Sequence, residues 1–213
     1  MGTRVVLWIP VVFCLACVNV LAARDLFPSQ VGGCALGANI SEYKKILKME
    51  TALPVRHMTY IKEVETCGLQ GYKSGLVSYG TCAEPGRIVR VKLKYMDSSR
   101  DFYDLLLKRF KARYGEASEW RGDPFHIVIA WKWSFVDGNK NRVSMILQHN
   151  THDGDQKKGN SVKITMMNYV DEERRCFESK QEKAEEKKRQ GMDQGMHRGG
   201  KGGRLDWDLL IPR

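Results

Sequence analysis

The sequence predicts an α+β domain: a six-stranded antiparallel or mixed sheet, in the order βββ-α-βββ, with helices packed on one face. Three observations carry this. Residues 87–95 alternate strictly, with Val89, Val91, Leu93 and Tyr95 on one side and Arg90, Lys92 and Lys94 on the other. That is the period of a strand with one buried face. Residues 98–114 change period: Phe102, Tyr103, Leu106, Leu107, Phe110 and Tyr114 recur at three- and four-residue steps, the stripe of an amphipathic helix. Residues 126–136 then return to alternation, with Ile127, Ile129, Trp131, Trp133 and Phe135 sharing a face. A helix and strands that each have one apolar side bury them together, in layers around one core.

Taken in order, Met1–Ala22 reads as a secretory signal, with Arg4 before the apolar run Val5–Ala22 and small residues at Ala22 and Ala23. An uncleaved anchor and a lipoprotein signal using Cys17 are the alternatives. Residues 23–170 form the single domain. Within it, 24–39 is a loop and Ile40–Lys48 a short helix capped by Asn39 or Ser41. Strands 57–67 and 72–81 form a hairpin around Leu69-Gln70, the second weakened or bulged by Ser74, Gly75, Ser78 and Gly80. Glu84-Pro85-Gly86 turns into strand 87–95, and Gly115 ends the helix after it. Asp137-Gly138-Asn139 turns strand 126–136 into strand 142–149, and 161–169 is the last strand. If strands 87–95 and 126–136 share a sheet, the helix between them makes them parallel. Residues 171–190 read as a charge-laced helix whose first turns dock through Cys176 and Phe177, and residues 191–213 as a disordered tail with an apolar end.

The segment Gly33-Cys34-Ala35-Leu36-Gly37, with the expected helix after it, resembles the opening of small bacterial envelope domains of the outer-membrane assembly lipoprotein type. The resemblance spans only residues 33–48. It implies a binding module and carries over no functional residue.

The net charge is +10, and the excess sits in the domain: residues 23–170 hold 23 Lys/Arg against 15 Asp/Glu, and residues 171–213 hold 11 against 10. A basic tail of the nucleic-acid-binding kind is therefore absent, and no nucleic acid is expected as partner. Cys34, Cys67, Cys82 and Cys176 remain after the leader, and an exported chain can pair them. The hairpin threading separates Cys67 from Cys82 and brings Cys34, Cys67 and Cys176 toward one end. A bridge within that trio, with Cys82 free, is expected.

Alternation places Arg90, Lys92, Lys94, Lys132, Arg142 and Lys163 on one sheet face, beside Ser134, Ser144, Gln148 and Thr165. Such a face suits an anionic envelope component or an acidic partner, although Glu63 and Glu65 can neutralise part of it. His149, His152, Asp153 and Asp155 could hold a divalent metal, but their spacing matches no strong metal signature and a polar turn explains them. A Cys–His pair of Cys82 with His57 or His126 would suit a hydrolase. Arg121-Gly122-Asp123 reads as a turn before Pro124, or as an adhesion tripeptide, with Trp120 and Phe125 beside it. No phosphate loop or nucleophile elbow is present and no cofactor is called for. The sequence thus favours a periplasmic or secreted, non-catalytic binding module, with a hydrolase or metal-dependent enzyme as the alternative.

Overall fold

The computed structural model describes residues 27–152 and 158–198. Most of the structure is β. A small ribbon pairs β1 (Gln30–Val31) with β2 (Cys34–Ala35). The main sheet is built from β3 (Leu47–Val55), β4 (Met58–Thr66), β5 (Tyr72–Gly80), β6 (Ile88–Tyr95), β7 (Glu119–Trp120), β8 (Val128–Val136), β9 (Arg142–Asn150) and β10 (Gly159–Met166). Helix α1 (Arg100–Tyr114) follows β6, and α2 (Met167–Arg198) follows β10. The sheet has eight strands in the order β3-β4-β5-β6-β10-β9-β8-β7, all paired antiparallel. Among the described residues no helix is long and apolar enough to cross a membrane.

The six-stranded expectation is corrected at both edges. Residues 47–55 are a strand, and the expected helix 40–48 shrinks to a 3-10 turn, Ile40–Tyr43, capped by Asn39 as anticipated. Leu47–Val55 hides its strand character because the pairing with β4 slips between Lys48 and Leu53. Thr51 fills the slip, its hydroxyl donating to Lys48 O and accepting from Glu65 N–H. Pro54 is tolerated because β3 is an edge. At the other edge β7 is two residues long, below what alternation can reveal.

The expected parallel step is also overturned. After α1 the chain crosses to the far edge and returns through β8, β9 and β10, so β10 lies beside β6. The result is two four-strand meanders, each followed by a helix, meeting antiparallel at β6 and β10.

The helices do not share one face. Helix α1 packs on the apolar face: Phe110 meets Trp133 at 5.8 Å and Tyr114 meets Phe135 at 5.6 Å between ring centroids. Ser99 caps α1 by accepting Phe102 N–H, Gly115 at φ 80 ends it, and Trp133 Nε1–H donates to Gly115 O. The N-terminal segment adds Cys34, Leu36 and Ile40 to this core. Helix α2 reaches the opposite face. Ile61, which shares its strand face with Glu63 and Glu65, belongs to a second buried cluster with Tyr60, Val89, Val170 and Phe177. Arg142, on the face of Ser144 and Gln148, donates to Asp171 of α2 at 2.8 Å.

A disulfide and a buried carboxylate help to hold α2 there, beside the Arg87–Glu172 and Arg142–Asp171 ion pairs. Cys82 is bonded to Cys176 with the Cα atoms 5.9 Å apart, and among the described residues Cys34 and Cys67 are free. This corrects the expected bridge within Cys34, Cys67 and Cys176. α2 lands across the β5–β6 turn, where Cys82 lies, and not at the other end of the sheet. Beside the bridge, the fully buried Glu173 accepts backbone N–H groups from Cys82, Ala83 and Glu84 at 2.6, 3.1 and 2.8 Å. Its approach requires Gly80, where a Cβ would stand 2.3 Å from the Glu173 carboxyl carbon. Glycine here serves a close contact rather than a weak strand. Beyond Phe177 the side chains of α2 up to Arg189 are nearly all exposed, and the helix continues to Arg198, into the expected tail. The expected leader 1–22, the end 199–213, Asp153 and Asp155 lie outside the described residues.

Candidate functional site

Pairing register places the predicted cations in rows on the face opposite α1. Leu76, Lys92, Lys163, Ile146, Lys132 and Glu119 are successive cross-strand partners from β5 to β7. Ser78, Arg90, Thr165, Ser144 and Ser134 make the next row, and Ser74, Lys94, Ser161, Gln148 and Ala130 the row on the other side. Lys92 and Lys163 therefore stand directly opposite each other, a like-charged pair that destabilises a sheet. Arg90 is two residues from Lys92 on the same strand and diagonal to Lys163.

The six sequence candidates separate chemically. Arg90, Lys92, Lys94 and Lys163 cluster on β6 and β10. Lys132 shares the row of Lys163 but is paired with Glu119 at 3.2 Å. Arg142 is drawn off to Asp171 and leaves the cluster. Among the described residues Arg90 has only a loose ion pair, 3.6 Å from Glu63, and its Nε is buried without a hydrogen-bond partner. Burial, followed by the charges of Arg90 and Lys92, holds the Lys163 ammonium below the ordinary lysine range, while Glu63 pulls weakly the other way. Positive charge at the centre of this face thus exceeds its compensation.

The face is hollow rather than flat. α2 closes one end of it, where Ser78 and Thr165 are buried. At the other end a cavity of about 630 Å³ lies across β4, β5, β6, β10 and β9. Lys73, Lys92 and Lys94 line it with Ser74, Gln148 and Ser161, and the Lys48–Glu65 pair closes one side. Lys73 and Lys92 have no ion-pair partner among the described residues. Sequence reasoning missed Lys73 because it sits where the β5–β6 register shifts, and Lys48 because its strand was read as helix.

Of the four metal candidates, only His149 and His152 lie among the described residues. His149 is buried on the α1 face, its Nδ1 2.7 Å from Asn160 Oδ1, whereas His152 is exposed and its backbone N–H bonds Asn150. Among the described residues no group of three His, Cys, Asp or Glu could hold a metal ion. The disulfide takes Cys82 out of any pairing with His57 or His126. Arg121-Gly122-Asp123 is a turn: the Asp123 carboxylate accepts the N–H groups of Phe125, Ile127 and Val128, which also hold its pKa below the usual carboxylate range.

Comparisons with protein-family models, curated proteins and solved structures gave no match.

Proposed function

We propose that this chain is an exported binding protein that holds an anionic group, phosphate or carboxylate, in the cationic hollow on the β6–β10 face. The observation that supports it most is the opposition of Lys92 and Lys163. A sheet gains nothing from it, and Arg90 adds a third cation with an orphaned Nε. A multiply charged anion seated against Lys92, in the adjoining cavity it lines with Lys73 and Lys94, would offset part of this excess charge. The cavity volume fits a lipid headgroup or a sugar acid better than a protein surface. The apolar run of residues 5–22 supports export, and the disulfide agrees with an oxidising compartment.

The test is co-sedimentation with vesicles of anionic lipid and of neutral lipid, run beside retention on an acidic-glycan resin. The chain is expected to bind one anionic support and to lose it as salt rises. Replacing Lys92 and Lys94 with Glu should abolish retention while the thermal melt persists. Retention unchanged by that double replacement, or equal on neutral vesicles, would remove the proposal.

A further inference from the structure

On the α1 side of the sheet a second cavity, of about 510 Å³, opens between α1 and the ends of β8 and β9. Tyr103, Trp120, Trp131 and His126 line it. Trp120 stands edge-on to Trp131, ring centroids 4.9 Å apart, and lies 6.0 Å from His126. The wall is preorganised, because the Asp123 carboxylate ties down the turn that carries His126 at φ 57. Flat aromatic faces in a slot of this size suit a flat ring.

Two buried polar groups line the same slot. Tyr103 is fully buried and its hydroxyl has no hydrogen-bond partner among the described residues. Buried hydroxyls are nearly always paired, so this one asks for a partner. His149 is the other, its ring 5.4 Å from that of Tyr103. Its tautomer follows from Asn160, whose amide nitrogen donates to Asp97 O at 2.9 Å and Ser99 O at 2.8 Å. Asn160 Oδ1 must then accept, so the proton sits on His149 Nδ1 and Nε2 is left as an acceptor. Arg100, at the margin, is already paired with Asp104 at 3.0 Å, so the slot makes no strong demand for an anion.

We propose that this slot is a binding site for a flat aromatic ring bearing a hydroxyl group. The ring stacks among Trp120 and Trp131. Its O–H donates to His149 Nε2, and its oxygen accepts the Tyr103 hydroxyl proton. One phenolic group thereby satisfies both. The site is independent of the cationic hollow, which lies on the opposite face of the sheet.

The experiment is a titration of the full chain with phenol and with toluene, followed by tryptophan fluorescence. Phenol is expected to perturb the emission and to bind about tenfold more tightly than toluene, the ratio that one to two hydrogen bonds supply. Tyr103→Phe removes one unpartnered oxygen, so the variant should fold, as a thermal melt checks. It should lower phenol affinity severalfold and leave toluene unchanged. Trp120→Ala should weaken both. Equal affinity for phenol and toluene in the native chain would overturn the proposal, as would a Tyr103→Phe variant that keeps the phenol preference intact.

Discussion

Lys163 faces Lys92 across the central strand pair, half-buried and within the field of Arg90. Its cost has a sign that can be worked out. The folded-state pKa is lowered, whereas an unfolded lysine titrates near 10.4. Between those values the unfolded chain holds more protons, so this residue's contribution to stability grows as pH rises through that window. Below the window it is a standing penalty. Lys163→Met is therefore expected to stabilise the fold by about 1 kcal/mol at neutral pH, because it removes a poorly compensated charge. The advantage over the native chain should shrink as pH climbs toward 10. Urea unfolding of both chains at two pH values measures this. A variant less stable than the native chain at pH 7 would show that Lys163 is structural.

Glu173 is one of the ties that fix helix α2, beside the disulfide and the Arg87–Glu172 and Arg142–Asp171 ion pairs. Its two oxygens accept three backbone donors, one from Glu84 and the other from Cys82 and Ala83. Glu173→Gln keeps the size but turns an NH₂ toward an N–H, so at least one donor loses its partner. The expected loss is about 2–3 kcal/mol. Opening the disulfide, which spans a sequence separation of 94, should cost about 2–5 kcal/mol. Chemical denaturation measures both, and a Glu173→Gln variant as stable as the native chain would refute the first. The elements themselves were legible where side chains keep one period. Val89-Val91-Leu93, Trp131-Trp133-Phe135 and the α1 stripe gave β6, β8 and α1 directly. Leu47–Val55 was not legible, because Thr51 and Pro54 break its alternation at a bulged edge. The Cys82–Cys176 bridge was hidden for a different reason: it depends on where α2 comes to rest, and no local pattern encodes that.

Across the molecule, two meanders ending in helices put aromatic packing on one face of the sheet and the cations on the other. That sorting was readable from alternation alone, and it placed Arg90, Lys92, Lys94 and Lys163 together. The hollow was not, since it arises where α2 covers only one end of the polar face and Lys73 enters at a register shift. Three turns and the short edge strand β7 carry the acid sensitivity. Asp97, Glu119, Asp123 and Asp137 each titrate below the usual carboxylate range, held there first by hydrogen bonds from Ser99, Lys132, Val128 and Asn141 respectively. Their contribution is fully present above about pH 4 and is lost as pH falls through the lowered values. Hydrogen exchange on acidification is expected to loosen the Asp123 and Asp137 turns before β6 and β10; the reverse order would contradict this. The most direct measurement of the anion-binding account is the side-chain NMR titration of Lys163, alone and with inorganic phosphate. Without phosphate, Lys163 should titrate below an ordinary lysine; with phosphate near saturation its pKa should rise, with shifts at Lys92 and Lys94. A Lys163 that titrates normally, or that ignores phosphate while other regions respond, would contradict the account.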